Sequence, residues 1–184
     1  MKWYIFLFLS FGFIFLAIHV NAQPPLVGDW VVNGQESYEN EIIFLDGNLT
    51  VNTGGKLFLK NVTLIMNSSY IQYYIKIAPF GEIYIYNSTI MASLPFNNYT
   101  FEVQPSGKME LMDSEVQNCG YLSDDMTKWG MFIMSSNVKI ERNYFTNNLV
   151  SIITVFSSPK IESNKITLNK LGGIVTAALS SPKI

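Results

Sequence analysis

The sequence predicts an all-β solenoid of the parallel β-helix kind, and three observations predict it. A ten-residue motif recurs at a constant interval. Apolar residues within each motif alternate with a period of two. No segment beyond residue 22 carries an apolar stripe of period 3.6.

The motif occupies Gly55 to Leu64, Gly81 to Ile90 and Gly107 to Val116, so its glycines are 26 residues apart. Each copy reads Gly, polar, apolar, any, apolar, any, Asn or Asp, two further residues, apolar. A second form follows: Ser135-Ser136-Asn137-Val138-Lys139-Ile140, then Ser157-Ser158-Pro159-Lys160-Ile161 and Ser180-Ser181-Pro182-Lys183-Ile184. A repeat of this length holds two or three short strands and cannot bury its apolar side alone, so copies must stack. Stacking places Leu59 on Ile85 on Leu111, and Leu57 on Ile83 on Met109, at the spacing of neighbouring strands, about 4.8 Å. About six coils of 21 to 29 residues are expected. Asn61, Asn87 and Asp113 recur at one turn, where short amides and carboxylates tolerate the left-handed conformation, and are expected to form a structural ladder.

Residues 1–22 read as a secretory leader: Lys2, an apolar run from Trp3 to Ile18, then Val20-Asn21-Ala22. Residues 23–46 are expected to lead into or cap the first coil, and 47–184 to form the solenoid. The chain stops at Ile184 inside a motif begun at Ser180, which predicts further coils beyond it. The segments 91–106 and 117–130 break the repeat and are expected as loops, the second bulging outward.

Composition narrows the chemistry. With 48% hydrophobic and 14% charged residues, the chain has the makings of a packed core rather than a disordered tail. A net charge of −2 and a single arginine, Arg142, leave no basic stripe for nucleic acid. Cys119 is the one cysteine, so no intrachain disulfide forms. The one histidine, His19, lies in the leader. Its removal leaves neither a Ser-His-Asp nor a Cys-His arrangement, nor any histidine-bound metal. Five Asn-x-Ser/Thr sequons, at Asn48, Asn61, Asn67, Asn87 and Asn98, agree with an exported chain. Asn61 and Asn87 are assigned to the ladder, so Asn48, Asn67 and Asn98 are the expected glycan acceptors.

Residues 137–145 (NVKIERNYF) and 159–166 (PKIESNKI), with the glycine-led motifs from Gly47 to Leu64, resemble the PbH1 repeats of the pectin-lyase-like superfamily. The likeness covers roughly 27–184 and is similar to archaeal exported and NosD-like proteins. It implies a right-handed parallel β-helix. For function it implies a carbohydrate-active enzyme or, from the NosD type, a metal accessory protein.

The residues themselves supply modest candidates. Asp124 and Asp125 are weak catalytic candidates, because two carboxylates can share acid and base work when their environments differ. They could also serve calcium with Asp113 or Glu115, but without the alternating spacing a calcium loop uses. Met109, Met112, Met126, Met131 and Met134 offer thioethers to copper, yet methionine more often fills core gaps. No cofactor and no metal site is expected. Alternation places Phe58, Tyr84, Glu110, Lys139, Lys160 and Lys183 in one outward row, and Lys60, Tyr86, Met112, Glu141 and Glu162 in a second. Phe58, Tyr84 and Tyr86 are the expected ligand-binding residues, as flat faces with polar handles suit sugar rings.

The expectation is therefore a secreted, periplasmic or cell-surface scaffold without catalytic activity, whose partner is a polysaccharide or a surface protein. Membrane contact is expected only through the N-terminal segment or an anchor beyond the chain. The alternative is a polysaccharide lyase or glycoside hydrolase with its catalytic coil in 117–130 or past Ile184.

Overall fold

A computed structural model describes residues 24–25, 27–68 and 72–184; the expected leader, residues 1–22, lies outside the described residues. Each repeat carries three short runs of period-two alternation, and each run is a strand with one buried face. The first coil is β1 (Trp30–Val32), β2 (Gln35–Glu39) and β3 (Ile42–Leu45). The second is β4 (Leu49–Val51), β5 (Lys56–Lys60) and β6 (Thr63–Met66). The third is β7 (Tyr74–Ile77), β8 (Glu82–Tyr86) and β9 (Thr89–Ala92). The fourth is β10 (Thr100–Val103), β11 (Lys108–Met112) and β12 (Glu115–Gln117). The fifth is β13 (Gly130–Ile133), β14 (Val138–Glu141) and β15 (Tyr144–Thr146). The sixth is β16 (Val150–Val155), β17 (Lys160–Glu162) and β18 (Lys165–Thr167), and β19 (Gly172–Ala177) opens a seventh.

Corresponding strands pair in parallel to give three sheets. Sheet A runs β1-β4-β7-β10-β13-β16-β19, sheet B runs β2 to β17, and sheet C runs β3 to β18. The architecture is a right-handed parallel β-helix, the hand that parallel crossovers take. Leu59 pairs with Ile85 and Ile85 with Leu111, all three essentially inaccessible, so the expected column exists. Each such side chain stabilises by roughly 1.5–3 kcal/mol through burial, and only stacking provides it.

The expectation for residues 23–46 is corrected. Trp30 to Leu45 is not a lead-in or cap but a complete first coil, paired strand for strand with the second. Its glycine, Gly34, holds the register position of Gly55, but Glu36 stands where Leu57 does, which breaks the apolar alternation of the motif. An added Cβ on Gly34 would meet nothing within 4 Å among the described residues. Gly55 and Gly81 do have a neighbour above: an added Cβ would lie 2.3 Å from the Val32 carbonyl oxygen and 2.6 Å from that of Val51.

Sheets B and C meet at a one-residue corner with positive φ at Asn40, Asn61, Asn87, Asp113, Arg142 and Ser163. Asparagine and aspartate tolerate that conformation better than other side-chain-bearing residues. The segment 117–130 also departs from expectation. It does not bulge away but folds back over the outside of sheet A as a strap. Met126 and Trp129 cover Phe132, Val150 and Ile153, which form a second apolar cluster outside the coil. A short 3-10 helix (Met126–Lys128) and a 2.6 Å hydrogen bond from Trp129 Nε1 to the Ser123 carbonyl hold the strap. No helix among the described residues is long and apolar enough to cross a membrane.

Candidate functional site

The outer face of sheet B carries the two rows the alternation requires. Ser37, Phe58, Tyr84, Glu110, Lys139 and Lys160 are in register, as are Glu39, Lys60, Tyr86, Met112, Glu141 and Glu162. Because consecutive strands are so close, the Phe58 and Tyr84 rings lie flat against each other, centroids 4.6 Å apart and planes within 3°. The ring faces therefore point along the solenoid axis rather than outward. The far side of Tyr84 is covered by the Lys108 ammonium, 4.9 Å from the ring centre.

The hydroxyls are engaged too. Tyr84 donates to Glu82 and accepts from Lys108 at 3.0 Å, and Tyr86 donates to Glu110 at 2.8 Å. Partial burial and then the Glu110 carboxylate push the Tyr86 hydroxyl up to about 12. The Lys56 ammonium, 2.8 Å from Glu82, and then the Tyr84 hydroxyl hold the Glu82 carboxyl below its usual range.

The geometry thus revises the expected trio. Tyr84 and Tyr86 brace the sheet, and one ring, Phe58, keeps a face toward open space. That face looks toward the small Ser37 side chain and borders a groove of about 320 Å³ lined also by Gln35, Glu39, Lys60 and Tyr86. A 2.7 Å ion pair between Lys60 and Glu39 lies beside it.

A second groove, about 440 Å³, runs along the corner between sheets B and C. Asp113, Glu115, Arg142, Tyr144 and Lys165 line it. Arg142 donates to both Asp113 oxygens at 2.7 Å and also reaches Glu141. That guanidinium holds the Asp113 carboxyl below its usual range, so Asp113 is an acceptor and not a proton donor. Lys165 lies 5.0 Å from the centre of the Tyr144 ring. Sequence reasoning missed this groove, although Glu115, Tyr144 and Lys165 share one register position.

The expected corner position bonds between coils in part: the Asn61 amide donates to Asn40 Oδ1 at 2.6 Å, and Arg142 donates to Asp113. Asn61, Asn87 and Asp113 occupy the corner, where positive φ turns their side chains to solvent, and all three are exposed. The buried ladder uses the next position. The backbone N–H of Val62 donates to Ser88 Oγ, that of Ser88 to Ser114 Oγ, that of Ser114 to Asn143 Oδ1, and that of Asn143 to Asn164 Oδ1, all within 2.9–3.0 Å. The sequon asparagines differ in exposure and bonding. The Asn48 amide donates to Asp29 at 2.9 Å and accepts from the Tyr74 N–H at 3.1 Å, which ties up an expected glycan acceptor. Asn67 and Asn98 are half-buried; Asn61 and Asn87 are exposed, although the Asn61 amide is engaged by Asn40 at 2.6 Å.

Asp125 caps the 3-10 helix, accepting from the Thr127 N–H at 2.9 Å and hydroxyl at 2.7 Å, which draws its carboxyl below the usual range. Asp124 lies exposed beside it on the strap. Met109 and Met131 are core residues, and Met126 and Met134 pack on the outer cluster. No group of three or more His, Cys, Asp or Glu side chains among the described residues could hold a metal ion.

No curated protein and no solved structure matches the chain. The match that exists is to a family: residues 31–184 fit the one described as the right-handed beta helix region, and the chain belongs to it.

Proposed function

We propose that the chain is an exported, non-catalytic β-helix scaffold that binds a glycan at the N-terminal rim of sheet B. One observation carries the reading: Phe58 offers an uncovered ring face inside a groove edged by Gln35, Ser37, Glu39 and Lys60. An aromatic face with polar groups around it fits the apolar side and the hydroxyls of a sugar ring. The leader-like N-terminus and the five sequons support export. The test is retention of the chain on neutral polysaccharide resins. Phe58→Ala abolishes retention, while Tyr84→Phe, which keeps the stack, preserves it. Retention unchanged in Phe58→Ala overturns the reading.

A second reading has its own observation. Two carboxylates and two cations converge on the corner groove at Asp113, Glu115, Arg142 and Lys165. A carbohydrate-active enzyme would work there, with Glu115 as its acid or base, rather than at Asp124 and Asp125. Polysaccharide cleavage that Glu115→Gln abolishes is its signature.

A further inference from the structure

We infer that Asn33 is a site of spontaneous covalent modification. Its side-chain amide hydrolyses through a cyclic imide closed by Gly34, which leaves aspartate or isoaspartate at the corner between β1 and β2. The inference concerns the backbone of the first coil and does not depend on glycan binding.

Three observations build the site. The first is access. Asn33-Gly34 is the one Asn-Gly step in the chain, both residues are exposed, and an added Cβ on Gly34 would meet nothing within 4 Å among the described residues. A glycine after asparagine puts no side chain in the way of the attacking nitrogen. The second is the nucleophile. Gly55, Gly81 and Gly107 hold the same place in later coils, and their N–H groups donate to the carbonyls of Asn52, Ala78 and Gln104 at 2.8–2.9 Å. The Gly34 N–H has no partner among the described residues, so closing the imide breaks no hydrogen bond at that nitrogen. The third is the electrophile. Asn52 Nδ2 donates to Asn33 Oδ1 at 2.8 Å, which stabilises the negative charge that gathers on this oxygen as the nitrogen adds.

The chemistry needs only water. Hydroxide or water takes the Gly34 amide proton, and the nitrogen bonds to Asn33 Cγ. The Cγ–Nδ2 bond breaks, and the amide nitrogen leaves with a proton as ammonia. Water then adds to either imide carbonyl. Opening on one side restores the original backbone with aspartate; opening on the other routes the backbone through Cγ as isoaspartate. The net change is amide plus water to carboxylic acid plus ammonia.

The fold closes two other steps of similar composition. Asn87 is exposed, but the Ser88 N–H that would attack it donates to Ser114 Oγ at 3.0 Å. Gly47 follows Asp46, yet it is buried, and an added Cβ would lie 2.1 Å from the Gly28 carbonyl oxygen.

The product bears on the first coil. Isoaspartate inserts a carbon into the main chain just before the Gly34 carbonyl, which accepts from the Lys56 N–H at 2.8 Å where the β2–β5 ladder starts. Either product adds a carboxylate to a coil that has Asp29, Glu36, Glu39, Glu41 and Asp46 and no lysine or arginine between residues 27 and 48. Strain and self-repulsion both loosen this coil as the chain ages.

The test is to age the folded chain in neutral and in mildly alkaline buffer and read its peptides by mass spectrometry against an Asn33→Asp standard. The peptide holding Asn33 gains about 1 Da, faster at the higher pH, and a methyltransferase specific for isoaspartate labels it. The peptide holding Asn87 gains that mass only after unfolding in urea. Asn33→Gln abolishes the change and Gly34→Ala slows it about tenfold or more. Both substitutions are at exposed positions, and unaltered melting curves verify the folds. Hydrogen exchange in the aged chain quickens over 30–39 and at Lys56 and stays the same in the third to sixth coils. Asn33 intact in the aged folded chain, Asn87 changing as fast as Asn33, or equal exchange in fresh and aged chains overturns the inference. None of these readings uses a ligand, so failure of glycan binding at Phe58 leaves them as they are.

Discussion

Thr154 stands directly beneath Ile133 in an inward column of sheet A, fully buried, its hydroxyl without a partner among the described residues. The residues above it in that column are Val32, Val51, Ile77, Val103 and Ile133. Burying an unpaired hydroxyl costs about 1–3 kcal/mol. Thr154→Val keeps the shape and removes the cost. Calorimetry should record a melting temperature higher by roughly 2–4 °C per kcal/mol recovered. A lower value would mean that the hydroxyl has a bonding role.

Ile85 is sandwiched between Leu59 and Leu111, and its loss is felt by both neighbouring coils. Ile85→Ala should destabilise by roughly 2–5 kcal/mol in urea titration, because neighbours in a stack cannot collapse into the hole without shifting their own pairing. Lys60→Ala, on the outer face of the same strand pair, should change stability by less than about 0.5 kcal/mol.

Trp129 is the strap's main apolar contribution over Phe132 and Ile153. Trp129→Ala should expose that cluster, raise the fluorescence of a hydrophobic dye and speed proteolysis within 120–128. Gly120→Ala should release the strap in the same way. Its φ is +85°, and an added Cβ would sit 2.0 Å from the Trp129 carbonyl oxygen.

Acid should loosen the solenoid. Glu82, Glu141 and Glu162 are each held below the usual carboxylate value of 4.5, first by a lysine partner. In the unfolded chain they regain that value, so protons bind the unfolded form first. Stability is therefore constant above about 4.5 and falls as pH drops through the lower folded values. The lysines behave oppositely. Lys56, Lys108 and Lys160 are raised above 10.5, chiefly by hydrogen bonds to Glu82, Tyr84 and Glu162. Their contribution is present below 10.5 and fades as pH climbs through the folded values. Melting temperature against pH should show a plateau with two falling arms, both shallower in high salt.

Cys119 is fully buried, and burial pushes its thiol far above the usual range. Iodoacetamide should leave the folded chain unmodified and label it once denatured. Labelling under native conditions would show that the strap opens.

Much of this protein is decided by local spacing alone. The constant interval from Gly55 to Gly107 sets which residues stack, because side chains that recur at equal positions in equal coils must meet. The columns through Leu59 and Leu57 and the outward rows through Tyr84 and Tyr86 follow from it. So does the left-handed corner at Asn61, Asn87 and Asp113, since short polar side chains are those that accept positive φ. The first coil was hidden, because Gly34 is followed by Glu36 at the position where the later coils carry Leu57, Ile83 and Met109.

Tertiary structure alone decided the rest. Ring orientation depends on the distance between coils, so the stacking of Phe58 on Tyr84, which leaves one free face instead of three, has no signature in a single repeat. The strap is aperiodic, and a run such as Met131 to Ile133 reads the same whether its outer face meets water or Trp129. Periodicity specifies contacts between equivalent positions; contacts between inequivalent positions come from the three-dimensional path.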